Sequence, residues 1–221
     1  MSKKLVVPKP SEGDANHSFA KGMLSGIPGF GGPAAELFQA VVQPPLEKRR
    51  IAWMKAVGEK LHKLEEEGVS LQKLQENEEF ISTVMHASQI ALKTHSEEKR
   101  ASLRAAILNV ARGQTPDEAV QYMFFNFVDV LSELQIRILR VFQNPEPPPG
   151  MSMGGLGSVL EHNIPSLRGQ RDLYDQLWKD LYLKGLVNTD GLHVTMSGAG
   201  LASRRTSGLG QQFLNFISEQ L

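Results

Sequence analysis

The chain has 221 residues, of which 41% are hydrophobic and 22% charged, the composition of a folded globular protein and not of a chain disordered throughout. Its 24 basic and 24 acidic residues cancel, so no net field draws it towards nucleic acid or an anionic membrane. It has no cysteine, which excludes disulfides, thiolate metal sites and cysteine nucleophiles together.

The balance holds piece by piece. Residues 1–31 carry four lysines against Glu12 and Asp14, and residues 144–221 carry six basic against seven acidic side chains. The length suits one well-buried core, or one core with a small appendage. Met1–Pro8 begins like a secretory signal, but its apolar run is three residues long, against roughly 7–15 in a true one. The expected location is therefore the cytoplasm. The most apolar stretch, Ala119 to Phe142, is interrupted by Asp129, Glu133, Arg137 and Arg140. It falls short of the roughly 20 residues that span a bilayer.

In chain order, residues 1–16 are polar and turn-rich and read as a disordered tail. Residues 19–46, FAKGMLSGIPGFGGPAAELFQAVVQPPL, are apolar but full of Gly and Pro, which forbids one straight helix. A short helix near 17–25, an elbow at 26–32 and a helix opening at Pro33 are expected, with Pro44 and Pro45 kinking or ending it. From Leu46 to Glu67, the residues Leu46, Trp53, Val57, Leu61 and Leu64 recur on one helical face, and Gly68 supplies a stop. A short piece at 70–75 leads into a helix over 77–94, striped by Phe80, Val84, Ala87 and Ala91. Thr94-His95-Ser96-Glu97 reads as a capping box for a helix that buries Leu103, Ala106, Ile107, Val110 and Ala111 and ends at Gly113. Thr115-Pro116-Asp117-Glu118 opens the next helix. That helix is apolar on most of its circumference as far as Phe142, and is expected to be the bundle centre.

Residues 144–157, NPEPPPGMSMGGLG, are Pro-rich and then Gly-rich and read as a linker holding a domain boundary. Beyond it, Leu173, Leu177, Trp178 and Leu181 mark an amphipathic helix stopping at Gly185. Residues 192–196 and 201–206 are expected to pair as a hairpin around the turn 197–200, and a last helix carries Leu209, Phe213, Leu214, Phe216 and Ile217.

Searches for chemistry give little. The cluster Gly26, Gly29, Gly31 and Gly32 is followed by Pro33-Ala34, where a phosphate loop needs Lys-Ser/Thr, and it reads as an elbow. His17, His62, His86, His95, His162 and His193 form no i,i+3 or i,i+4 pair and no HExxH. His86 reads as a core or boundary side chain. There is no GxSxG, and the paired glutamates sit at helix ends, where charge is solvated or favoured by the dipole. No catalytic, metal or cofactor site and no small-molecule substrate is expected.

Two resemblances stand beside this reading. Leu177-x3-Leu181-x3-Gly185-Leu186-Val187, the segment 192–206 and Thr206-x2-Leu209-Gly210-x2-Phe213-Leu214 together resemble part of a winged helix over about 50 residues. Ile27 to Arg50, as IPxxGGPxAELF…PPLEKRR, resembles a family of uncharacterised bacterial helical proteins. That resemblance implies a bacterial source and a helical body, and brings no activity to carry over. The fold class expected is mainly α: a helical bundle over 17–143, a linker over 144–157, and a small α+β winged-helix-like domain over 158–221.

The leading functional expectation is a non-enzymatic interaction or regulatory protein, with a protein partner or a second copy of the chain. The first alternative is DNA binding through the C-terminal part, with Arg168, Arg171, Arg204 and Arg205 as candidate phosphate or partner contacts. Asp172, Asp175 and Asp180 on the candidate recognition helix oppose it. A further alternative is membrane contact through residues 19–46, with Phe19, Ile27, Phe30, Leu37 and Phe38 as candidate contacts beside Lys48-Arg49-Arg50.

Overall fold

The computed structural model describes residues 33–219, with side chains from residue 46 onward. The expected tail and elbow, and Phe19, Ile27 and Phe30, lie outside the described residues, and Leu37 and Phe38 are described as helical backbone alone. Among the described residues the fold is mainly helical, with ten α-helices and one two-stranded antiparallel sheet. No helix among them is long and apolar enough to cross a membrane.

The chain divides into two compact units between Leu71 and Gln72. The first unit is dominated by α1 (Pro33–Glu66). It opens at Pro33 as expected but continues through Pro44 and Pro45, although each lacks a ladder donor and crowds the carbonyl four residues before it. Trp53, Val57 and Leu64 are buried, while Leu46 stays 45% exposed. Val69 N donates to Leu64 O (2.9 Å) beyond Gly68, which closes the helix at positive φ.

The division falls within α2 (Leu71–Gln75), and the second unit continues with α3 (Glu78–Lys93) and α4 (Glu97–Ala111). Asn77 Oδ1 caps α3 by accepting from Phe80 N (3.0 Å). The cap of α4 is Ser96, which accepts from Lys99 N (3.0 Å), two residues later than the expected Thr94. Thr94 instead closes α3. The helix after Thr115 was expected to run unbroken to Phe142. It is two helices, α5 (Glu118–Val130) and α6 (Glu133–Val141), because Ser132 and Gln135 form a full capping box inside the apolar run. The bundle centre also shifts, since Ser102, Leu103 and Ala105–Ala111 of α4 are all buried.

After α6 the chain runs through β1 (Met153–Gly154), α7 (Leu156–Asn163), a 3-10 turn (Pro165–Leu167) and α8 (Arg171–Leu183). It finishes with β2 (Met196–Ser197), α9 (Gly198–Leu201) and α10 (Gly208–Phe216). Residues 144–157 are tied down rather than free. Pro145 is buried, Asn163 Nδ2 donates to Glu146 O (2.8 Å), and Gly198 N donates to Ser152 O (2.7 Å). A Pro-rich segment keeps its carbonyl acceptors, and other elements use them here.

The expected hairpin of 192–196 with 201–206 does not form. Ser197 acts as an N-cap, accepting from Gly200 N (3.3 Å), so 198–201 coil into a helical turn with Leu201 buried. β2 pairs with β1, Met153 opposite Ser197. Arg205 N donates to Phe142 O at the end of α6 (2.9 Å), and Thr206 bridges Val187.

Three polar or aromatic seams hold this unit. Asn109 Nδ2 of α4 reaches Asn215 O, Phe216 O and Ser218 O of the α10 terminus at 3.2, 2.9 and 3.0 Å, so a side chain from α4 satisfies carbonyls the helix cannot. Phe124 packs against Phe213 and Phe216, both at 5.5 Å between ring centres. On α6, Gln135 Oε1 accepts from Ser132 N (2.8 Å) while its Nε2 donates to Asp180 Oδ2 of α8 (2.6 Å). Phe142 and Trp178 meet edge to face at 4.7 Å beside that tie.

Candidate functional site

Helices α3 and α5 lie side by side and run the same way. Thr83 meets Gln121, His86 meets Tyr122 and Phe125, and Lys93 pairs with Asp129 (3.7 Å). The floor between them is Gln121, a polar residue inside an apolar run and only 3% exposed. Its Nε2 donates to Pro116 O (2.9 Å) and to Glu79 Oε1, and its Oε1 accepts from Thr83 Oγ1 (3.4 Å). A buried amide is tolerated when its donors and acceptor are used in this way.

Above that floor opens a cleft of about 390 Å³. One end holds the carboxylates Glu79 and Glu118, and the middle is aromatic. The His86 ring stands edge-on to Tyr122 at 4.7 Å and parallel to Phe125 at 6.1 Å. Met85 and Tyr122 are 60% and 53% exposed. Among the described residues lining it there is no Lys or Arg, so two negative charges face the opening without an opposing cation. The cleft offers apolar contact, an aromatic corner for a cation and carboxylate acceptors.

A second cleft, of about 440 Å³, lies where the loop 188–195 meets α7 and α8. His193 Nε2 approaches both oxygens of Asp175, at 2.7 and 2.8 Å. Arg171 Nε stands 3.5 Å from Asp175 Oδ2. Tyr174 donates its hydroxyl to Glu161 Oε1 (3.2 Å), and burial, with the Glu161 charge, holds that phenol above its ordinary pKa. A Cβ at Gly157 would lie 3.3 Å from the Tyr174 hydroxyl and 3.5 Å from the His193 ring, so glycine leaves room for both. These side chains bond to one another across α7, α8 and the loop, which makes the cluster a fastening for the loop.

The four arginines fall into two groups. Arg168 and Arg171 flank the start of α8, where Arg168 Nε donates to Glu161 O (3.4 Å) and Arg171 faces Asp175. Arg204 is exposed in the turn after α9. Arg205 is turned inward, its Nη2 donating to Gly200 O and approaching Met196 Sδ at 3.1 Å, while its Nε is buried without a partner. Among the described residues, no group of three or more His, Asp or Glu could hold a metal ion.

Sequence reasoning passed over Met85, Tyr122, Glu79, Glu118 and the Asp175–His193 pair. One signal was present. Gln121 interrupts the apolar pattern of α5, and an amide there must find partners on a neighbouring helix. No family model, no curated protein and no solved structure matches the chain.

Proposed function

We propose that this chain is a protein-interaction protein of a regulatory kind, and that the α3–α5 cleft is its docking surface. The carrying observation is the pair Met85 and Tyr122, two large apolar side chains exposed over one acid-ended cleft. Aromatic and Met side chains at a concave surface are what the centre of an interface uses. The winged-helix likeness of 158–221 belongs to this reading, as an interaction module. The order of α7, α8 and α10 with short antiparallel pairings supports it, and the helical turn at 198–201 departs from it. The bacterial cytoplasm is its proposed setting, on the resemblance of Ile27–Arg50 and the charge balance.

DNA binding ranks behind it because three of its four arginines are engaged within the chain, Arg205 with Gly200 O, Arg171 with Asp175 and Arg168 with Glu161 O. The exposed face of α8 mixes Asp172 with Lys179 instead of concentrating cations.

The test is capture from native lysate by the tagged full-length chain and by its Met85→Glu/Tyr122→Glu variant, each with nuclease treatment. A stoichiometric protein held by the wild type through nuclease and lost by the variant is the expected result. Equal capture by both chains, or nucleic acid alone that nuclease removes, overturns the proposal.

A further inference from the structure

We infer that the occupant of the α3–α5 cleft is the segment 46–55 of α1 from a second copy of this chain, an inference that rests on the cleft being a docking surface. Within that segment Leu46, Ile51 and Met54 are 45%, 42% and 44% exposed, three large apolar side chains of one helix open to solvent. Met54 lies one turn from both Arg50 and Ile51, so cationic and apolar side chains share a flank of one helix. Lys48 and Arg50 are exposed and Arg49 half-buried, and none of the three forms an ion pair among the described residues. Glu47 alone offsets them within 46–50.

The cleft carries the opposite character: Glu79 and Glu118 at one end, and Tyr122, His86 and Met85 beyond. A helix laid in such a groove places Ile51 and Met54 on Met85 and Tyr122 and Arg50 towards the carboxylates. A guanidinium suits this place doubly, since it pairs with carboxylates in a fork and stacks on aromatic faces. Each copy owns one basic apolar helix and one acidic cleft, so association satisfies both at once. Whether it closes as a ring or extends is read from the mass.

The test is sedimentation velocity of the full chain across the micromolar range, at low and high salt. Arg49→Glu/Arg50→Glu is compared with Met85→Lys/Glu118→Lys, each alone and the two mixed. All four side chains are exposed or half-buried and make no side-chain hydrogen bond or ion pair among the described residues, and melting curves check that each variant is folded. The wild type is expected to associate and to weaken as salt rises. Each variant alone, now facing like charge with like, weakens association by about tenfold or more. The mixture, in which a negative helix meets a positive cleft, associates again.

Association that both reversals leave unchanged, or a mixture that stays monomeric while the wild type associates, overturns the inference. A wild type that is monomeric throughout overturns it too. In that case the cleft reading stands or falls separately, on whether Met85→Glu/Tyr122→Glu loses a different captured protein.

Discussion

Asn109 and Gln121 are both primary amides sunk in apolar helices, at 0% and 3% exposure, and they serve opposite surfaces. Asn109 seals a seam, since its Nδ2 closes the carbonyl end of α10 and the residue is fully buried. Gln121 floors a cleft. It holds Glu79, Thr83 and the Pro116 carbonyl in place beneath side chains that stay open. The seam is where stability resides and the cleft is where recognition can reside, because exposed groups with unmet contacts cost little to change and interior ones cost much.

The sharpest test of that division is Asn109→Asp. The substitution removes two N–H donors and aims a carboxylate at three backbone carbonyls in a fully buried position. Destabilisation of about 3–5 kcal/mol is expected, the range for an uncompensated buried charge, read from the urea midpoint. The loss should shrink as pH falls. A carboxyl raised above its ordinary pKa in the folded state leaves the native chain holding more protons than the unfolded one, so stability rises towards acid.

Gly210→Ala comes next. A Cβ there would sit 2.1 Å from Leu186 O, so α10 must shift away from the turn after α8. About 1–3 kcal/mol is expected, the range for overpacking. A variant as stable as wild type would mean that α10 is not held against Leu186 and that the seam is softer than Asn109 implies.

Asp180 offers a smaller, pH-dependent effect. Burial acts to raise its pKa, but the hydrogen bonds from Lys184 (2.6 Å) and Gln135 outweigh it and hold the carboxyl below the ordinary aspartate value. A lowered folded pKa means that the unfolded chain binds more protons over that window. The tie is therefore fully present above the ordinary carboxylate range, and is lost as pH falls through the lowered value. Asp180→Asn is expected to flatten the acid limb of a stability-against-pH curve and to leave its shape above neutrality unchanged. An acid limb identical to wild type would show that this bridge between α6 and α8 adds nothing to folding.

What was legible in the sequence was local. Gly68, Gly113 and Gly185 stop their helices where expected because a positive-φ C-cap depends on a few adjacent residues. The break at Leu131–Ser132 was overlooked because α5 and α6 both bury continuous apolar faces, which hid Ser132-x-x-Gln135 inside a single hydrophobic run. The turn at 198–201 was overlooked for a related reason. Gly-Ala-Gly reads as a turn between strands until Ser197 is recognised as an N-cap. The cleft was not legible at all. His86 reads as a core or boundary side chain, and Tyr122 and Phe125 fall within a helix apolar on most of its circumference, but that α3 and α5 run side by side in one direction is topology, and no local spacing carries it. Asn109 reaching residues 106 to 109 positions away belongs to the same class.

The smallest effect is the one that decides the comparison. Tyr122→Ser removes a half-exposed ring whose contacts are the edge of His86 and the cleft mouth. It leaves Gln121 and its three bonds untouched beneath. A stability change of about 0.5–1 kcal/mol is expected, the worth of one aromatic pair at a wet surface, well under the Gly210→Ala loss, with capture or self-association reduced in the same preparation. A loss as large as that of Gly210→Ala would place Tyr122 within the fold's support, and the open side chains over the cleft would then be core residues only partly covered. A small loss together with full retention of every bound protein would separate exposure from recognition, and would move the docking surface elsewhere on the chain.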